Sequence, residues 1–152
     1  MLTRGVLTVL AITATCIMRP AHAQHAVFGQ WRVTGSMCAP GGCALSREEV
    51  ASWRGRVAIY TDTLARFAEH SCLRPRYTVG HWPANGSYGG ATFADLGLRG
   101  DSAMVVNISC PGQPPTGVLK DRWEVAGGFL IVKDADHLLA IWEGVFFELT
   151  RQ

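Results

Sequence analysis

The alternation of apolar and polar positions is clearest near the C-terminal end of the chain. Residues 129–149 read FLIVKDADHLLAIWEGVFFEL. Phe129–Lys133 and His137–Trp142 are apolar runs separated by the acidic turn Asp134-Ala135-Asp136. Glu143-Gly144 then breaks the chain before Val145–Leu149. In this last run Val145, Phe147 and Leu149 fall on one face and Phe146 and Glu148 on the other, which is the two-residue period of a strand. β-Branched and aromatic residues dominate, and each run is short for a helix. The pattern predicts a β-meander that closes an antiparallel sheet or barrel.

Upstream, the same reading predicts strands at Gly29–Val33, Arg56–Tyr60, Arg66–Ala68, Arg76–Val79, Ala103–Cys110 and Arg122–Val125, with a short edge strand at Val118-Leu119. Ser46-Arg47-Glu48-Glu49 has the form of a capping box, with Ser at the N-cap and Glu three residues on. It predicts a helix of about two turns through Trp53, ended by Gly55, with Val50 and Trp53 pinning it to the sheet. His81–Ala91, punctuated by Pro83, Asn85-Gly86 and Gly89-Gly90, is expected to be a long loop. Thr92–Leu96 is expected to form one helical turn. The expected fold is all-β: a single antiparallel up-and-down barrel of eight short strands, with one short helix in its N-terminal half.

Residues 1–23 read as a cleavable signal peptide. Arg4 gives the positive start, Val6–Ile17 the apolar stretch, and Ala21-His22-Ala23 the cleavage site, so the mature domain is expected to span 24–152. Cys16 follows Thr13-Ala14-Thr15, which is a poor lipobox. The expected location is periplasmic or secreted, with no membrane span after cleavage. Cys38, Cys43, Cys72 and Cys110 then read as two disulfides. Cys38–Cys43 and Cys72–Cys110 are favoured among the three connectivities, and the absence of any CxxC argues against a zinc site. Residues 24–80 carry seven arginines against Glu48, Glu49, Asp62 and Glu69, and residues 81–152 carry five basic against eight acidic groups. The two halves cancel, so nucleic acid is not an expected partner.

Gly29-Gln30-Trp31 resembles the G-x-W motif of lipocalin-like, calycin-type barrels. That resemblance implies that Trp31 packs across the closed end of the barrel, with a basic residue from the last strand lying over it. Arg151 is in place for that role. The layout also resembles small exported proteins of proteobacteria that end in a WDGVFFEL-type strand. What the resemblance implies for function is the carriage of a small apolar ligand. The chain differs from lipocalins in its shorter length, in the helix after the first strand and in lacking their T-D-Y motif.

Candidate chemistry is sparse. His137 can pair with Asp134 or Asp136, although an Asp-Ala-Asp-His turn whose carboxylates cap backbone amides explains the same residues. No serine lies in a G-x-S-x-G context, and paired cysteines are not nucleophiles. The chain therefore reads as non-catalytic, without cofactor or metal. Trp82, beside His81 and near Tyr88, reads either as an exposed loop aromatic of a binding site or as a cover over the barrel mouth. Arg74 and Arg76, with Tyr77, read either as a patch for an acidic partner or as a solvated strand face. Short strands leave an eight-strand interior with room for little beyond side chains. The expected function is accordingly a protein-interaction module, an accessory subunit or inhibitor of another exported protein, with the small-ligand carrier as the alternative.

Overall fold

The structure, a computed structural model, describes residues 24–112 and 122–152. The expected signal peptide and the expected Val118-Leu119 strand lie outside the described residues. Nine antiparallel strands form one sheet: β1 (Gly29–Cys38), β2 (Val57–Tyr60), β3 (Leu64–Phe67), β4 (His70–Leu73), β5 (Arg76–Pro83), β6 (Ser102–Ser109), β7 (Phe129–Val132), β8 (His137–Trp142) and β9 (Val145–Arg151). Their order is β4-β3-β2-β1-β9-β8-β7-β6-β5. The sheet is up-and-down and rolls into a half-barrel. A 3-10 turn (Gln24–Val27) precedes β1, and α1 (Arg47–Ser52) follows it.

Nine strands stand where eight were expected, and the reason lies at Arg74-Pro75. With nine alternating directions, the two outermost strands β4 and β5 run the same way. Two residues join them, and Arg74 is in the left-handed region at φ 52°. Together they act as one bent strand that pairs with β3 through its first half and with β6 through its second. β4 and β5 share no ladder with each other. The two ends of the sheet are also linked by Cys72–Cys110, with Cα atoms 5.6 Å apart, and by the Tyr77 hydroxyl, which donates to the Thr61 carbonyl at 2.7 Å.

The central strands are apolar on both faces because the sheet has a core on each side. Val145, Phe147 and Leu149 of β9 point inward with Leu138 and Ala140 of β8, while Phe146, Leu139 and Ile141 point outward. The outer core is completed by Phe93, Leu96 and Leu98, from the segment between β5 and β6. Within it, Thr92 and Asp95 cap each other: the Asp95 carboxylate accepts from the Thr92 amide at 2.8 Å and from its hydroxyl at 2.7 Å. The interior holds Trp31, Tyr60, Phe67 and Phe147, all fully buried. Gly127 also enters it, at φ +90°, where its carbonyl accepts from the Tyr60 hydroxyl at 3.1 Å. The inward excursion of Trp123–Gly128 is why the strand expected at Arg122–Val125 is reduced to a single bridge, Ser109 to Arg122.

A β-bulge at Thr34, between Val33 and Gly35, changes the parity of β1. Before it, the odd residues Trp31 and Val33 face the interior; after it, Met37 faces the outer core. The capping box of α1 is formed in both directions. Ser46 Oγ accepts from the Glu49 amide at 3.2 Å, and the Glu49 carboxylate accepts from the Ser46 amide at 2.8 Å. Trp53 is the C-cap, so Gly55 lies two residues beyond the cap. The Trp53 ring covers one end of the interior, 5.5 Å from Phe67 and 5.3 Å from Phe147.

Candidate site at the sheet seam

The five candidate binding residues do not form one cluster. β5 extends to Pro83, so His81 and Trp82 belong to a strand, paired with Met104 and Ala103, rather than to the expected long loop. Pro83 is compatible with this strand because the odd residues of β5 turn their backbone groups away from β6, as the amide of Ala84 bonding to Asp101 shows. Trp82 is half-buried and meets Phe93 edge-on at 5.2 Å, so it covers the outer face of the sheet and not a barrel mouth. His81 is exposed. Tyr88 stands elsewhere, stacked on Phe129 at 6.1 Å beside a separate cleft of about 510 Å³.

Arg74 and Arg76 do come together. They line a cleft of about 600 Å³ at the seam between the sheet ends, with Phe28, Asp62, Pro75 and Tyr77. Pro75 and the left-handed Arg74 make the bend, and the amide of Arg74 is tied to the Thr63 carbonyl at 2.8 Å. A non-glycine residue held in this conformation costs of order 1–3 kcal/mol, which the surrounding structure must offset. Tyr77 forms the wall, with the Phe28 ring edge-on to it at 5.1 Å. Burial is the main reason that the Tyr77 phenol is held above its usual range, and the nearby Asp62 carboxylate adds to this. The phenol therefore stays a neutral donor. Among the described residues neither Arg74 nor Arg76 has a carboxylate within 4.0 Å.

Next to Arg74, Leu73 is 65 % exposed, against a core in which most large apolar residues are buried. The pairing of β3 with β4 puts Leu73 opposite Leu64 and Ser71 opposite Arg66 on the outer face. No pattern along the chain marks Leu73, Phe28 or Asp62 as neighbours of the arginines. The one available signal was the Arg-Pro-Arg spacing, which fixes two cations on a bend.

Behind Phe28, the Arg151 guanidinium lies 4.1 Å above the Trp31 ring. It donates to Phe28 O at 2.8 Å, Ala26 O at 3.1 Å and Ala135 O at 2.8 Å. Asp134 and His137 are also paired, at 2.8 Å, and Asp134 accepts from the Asp136 amide at 2.8 Å. That amide bond, followed by the His137 ring, holds the Asp134 carboxyl below its usual value. Both the turn and the pair are thus present, on an exposed hairpin. Among the described residues no three of His, Cys, Asp and Glu are gathered as metal ligands, and no helix is long and apolar enough to cross a membrane. No family model, curated protein or solved structure matches the chain.

Proposed function

We propose that the chain is an exported, non-catalytic module that binds another polypeptide as an accessory subunit or inhibitor. The observation that carries this reading is the seam cleft, where two exposed arginines without carboxylate partners among the described residues stand beside an aromatic wall. Two disulfides are compatible with an oxidising, exported location. We also read the half-barrel as a lipocalin-like barrel whose bent strand serves both neighbours, a reading supported by the Trp31–Arg151 stack. The carrier alternative has less support, because the interior is occupied by Trp31, Tyr60, Phe67 and Phe147 and by the Gly127 segment.

Native mass spectrometry of the protein recovered gently from the cells that export it tests the proposal. A complex with a second polypeptide is expected, and it should be lost in the Arg74→Glu/Arg76→Glu double variant. An added mass of a few hundred daltons would transfer support to the carrier, and a bare monomer would overturn the module.

A further inference from the structure

We propose that Cys38–Cys43 is a thiol–disulfide exchange site, open to an external dithiol while the chain stays folded, and that Cys38 Sγ is the atom attacked. This goes beyond the module reading and does not depend on it. Three observations carry it. First, the two cystines differ in access. Cys72 is fully buried and Cys110 is 6 % exposed, whereas Cys38 is exposed and Cys43 half-buried. Exchange needs a thiolate to reach a sulfur in line with the bond that breaks, so access decides which cystine reacts. Both Cys38 and Cys43 line a cleft of about 620 Å³ between β1 and α1, floored by Val33, Leu45 and Val50. Its charged groups have both signs, Arg47 and Arg54 against Glu148, so charge does not choose among thiols.

Second, the loop is held in place without its sulfur bridge. The amide of Ala39, next to Cys38, donates to the Gly144 carbonyl at 2.8 Å, and the amide of Ala44, next to Cys43, donates to the Glu143 carbonyl at 2.9 Å. Between them the Gly42 amide donates to Ala39 at 2.8 Å and the Gly41 amide to Gly89 at 2.9 Å. The loop is thus tied to the β8–β9 turn and to the segment after β5 by backbone bonds that reduction does not touch. Both thiols stay placed after the bridge opens, and the bridge can form again.

Third, the two sulfurs are not equivalent. Cys43 packs against the inner core, and Cys38 belongs to neither core. The external thiolate therefore bonds to Cys38 Sγ, the Cys38–Cys43 bond breaks, and Cys43 leaves as a thiolate that takes up a proton. The second thiol of the donor then attacks the donor's own sulfur in the mixed disulfide, which releases Cys38 as a thiol and leaves the donor as a disulfide. Two electrons and two protons pass from the dithiol to the cystine. The dithiol is a small molecule or belongs to another polypeptide.

The probe is dithiothreitol, added to the oxidised mature chain without denaturant, with timed alkylation and peptide mass mapping. Cys38 and Cys43 should become alkylated at least about a hundredfold faster than Cys72 and Cys110. The circular dichroism of the fold should persist, and oxidised glutathione should restore the Cys38–Cys43 pair. Equal rates for the two cystines, or reduction of Cys38–Cys43 only as the fold is lost, would overturn the proposal. The entry atom is tested with Cys43→Ser and Cys38→Ser, each mapped to confirm that Cys72–Cys110 is intact. Toward oxidised glutathione the lone Cys38 thiol should react at least about tenfold faster than the lone Cys43 thiol; equal or reversed rates would overturn Cys38 as the atom attacked. In Cys43→Ser recovered from the cells that export it, Cys38 should carry a mixed disulfide. A bound polypeptide supports a protein dithiol, an added mass of a few hundred daltons or less supports a small thiol, and a bare thiol would overturn exchange in the cell.

Discussion

Arg151 shows how much one side chain can hold at the end of this sheet. Its guanidinium covers Trp31 and bonds three carbonyls, from Ala26, Phe28 and Ala135, so it fastens the 3-10 turn and the β7–β8 turn to the last strand. Lysine keeps the charge but not the planar fork. Arg151→Lys is expected to cost about 2 kcal/mol in urea denaturation, and a loss no larger than a few tenths would show the stack to be ornamental. Gly127 is the second such position. At φ +90° a Cβ would meet the ring of Phe67 and, at 2.6 Å, the Tyr60 hydroxyl. Gly127→Ala should therefore destabilise by more than about 2 kcal/mol, read from the same denaturation curve. The Trp31–Arg151 juxtaposition was anticipated through a short motif, whereas nothing around Gly127-Gly128 announced a backbone that enters the core.

Among the elements, those with strong local signals were legible. Ser46 and Glu49 marked α1, and the β7–β9 meander declared itself by runs that are apolar on both faces. β4 did not, because His70-Ser71-Cys72-Leu73 buries a single side chain, Cys72, and has no apolar period. β5 was cut short by reading Pro83 as a breaker, although its missing amide falls on the edge that needs no donor. The two cystines offer a prediction at this scale. Cys72–Cys110 spans 38 residues and joins the sheet ends, whereas Cys38–Cys43 spans 5. Chain entropy assigns them about 4 and about 2 kcal/mol. Replacing each pair with alanine should therefore lower the denaturation midpoint more for the long closure, and equal losses would contradict this account.

For the whole molecule, stability should form a dome against pH. Glu49, Asp95 and Asp134 are each held below the usual carboxylate value, in every case first by a backbone amide. Their lowered values in the folded state mean that the stability they add is present above the unfolded value of about 4 and is lost as pH falls through the folded one. Tyr60 and Tyr77 are shifted upward, chiefly by burial, so their contribution is present below the unfolded value of about 10 and declines as pH rises beyond it. Urea midpoints measured from pH 3 to pH 11 should fall at both ends, and a flat acid limb would show that the three carboxylates are not coupled to folding. At this scale the all-β class was readable from periodicity. The offset between β4 and β5 was not, because it depends on one backbone angle at Arg74.

The bulge in β1 has a consequence for oxidation. Cys38 lies four positions beyond Thr34, and the shift in parity leaves it opposite Val145, on the side where Cys43 and Leu45 meet the inner core. Without the extra residue the thiol of Cys38 would emerge on the opposite face, and Cys43 would be left with Cys72 and Cys110 as the sulfurs on its own side. Thr34 therefore acts as a sorting device for thiols, and its deletion should scramble the cystine pattern even though no cysteine has been touched.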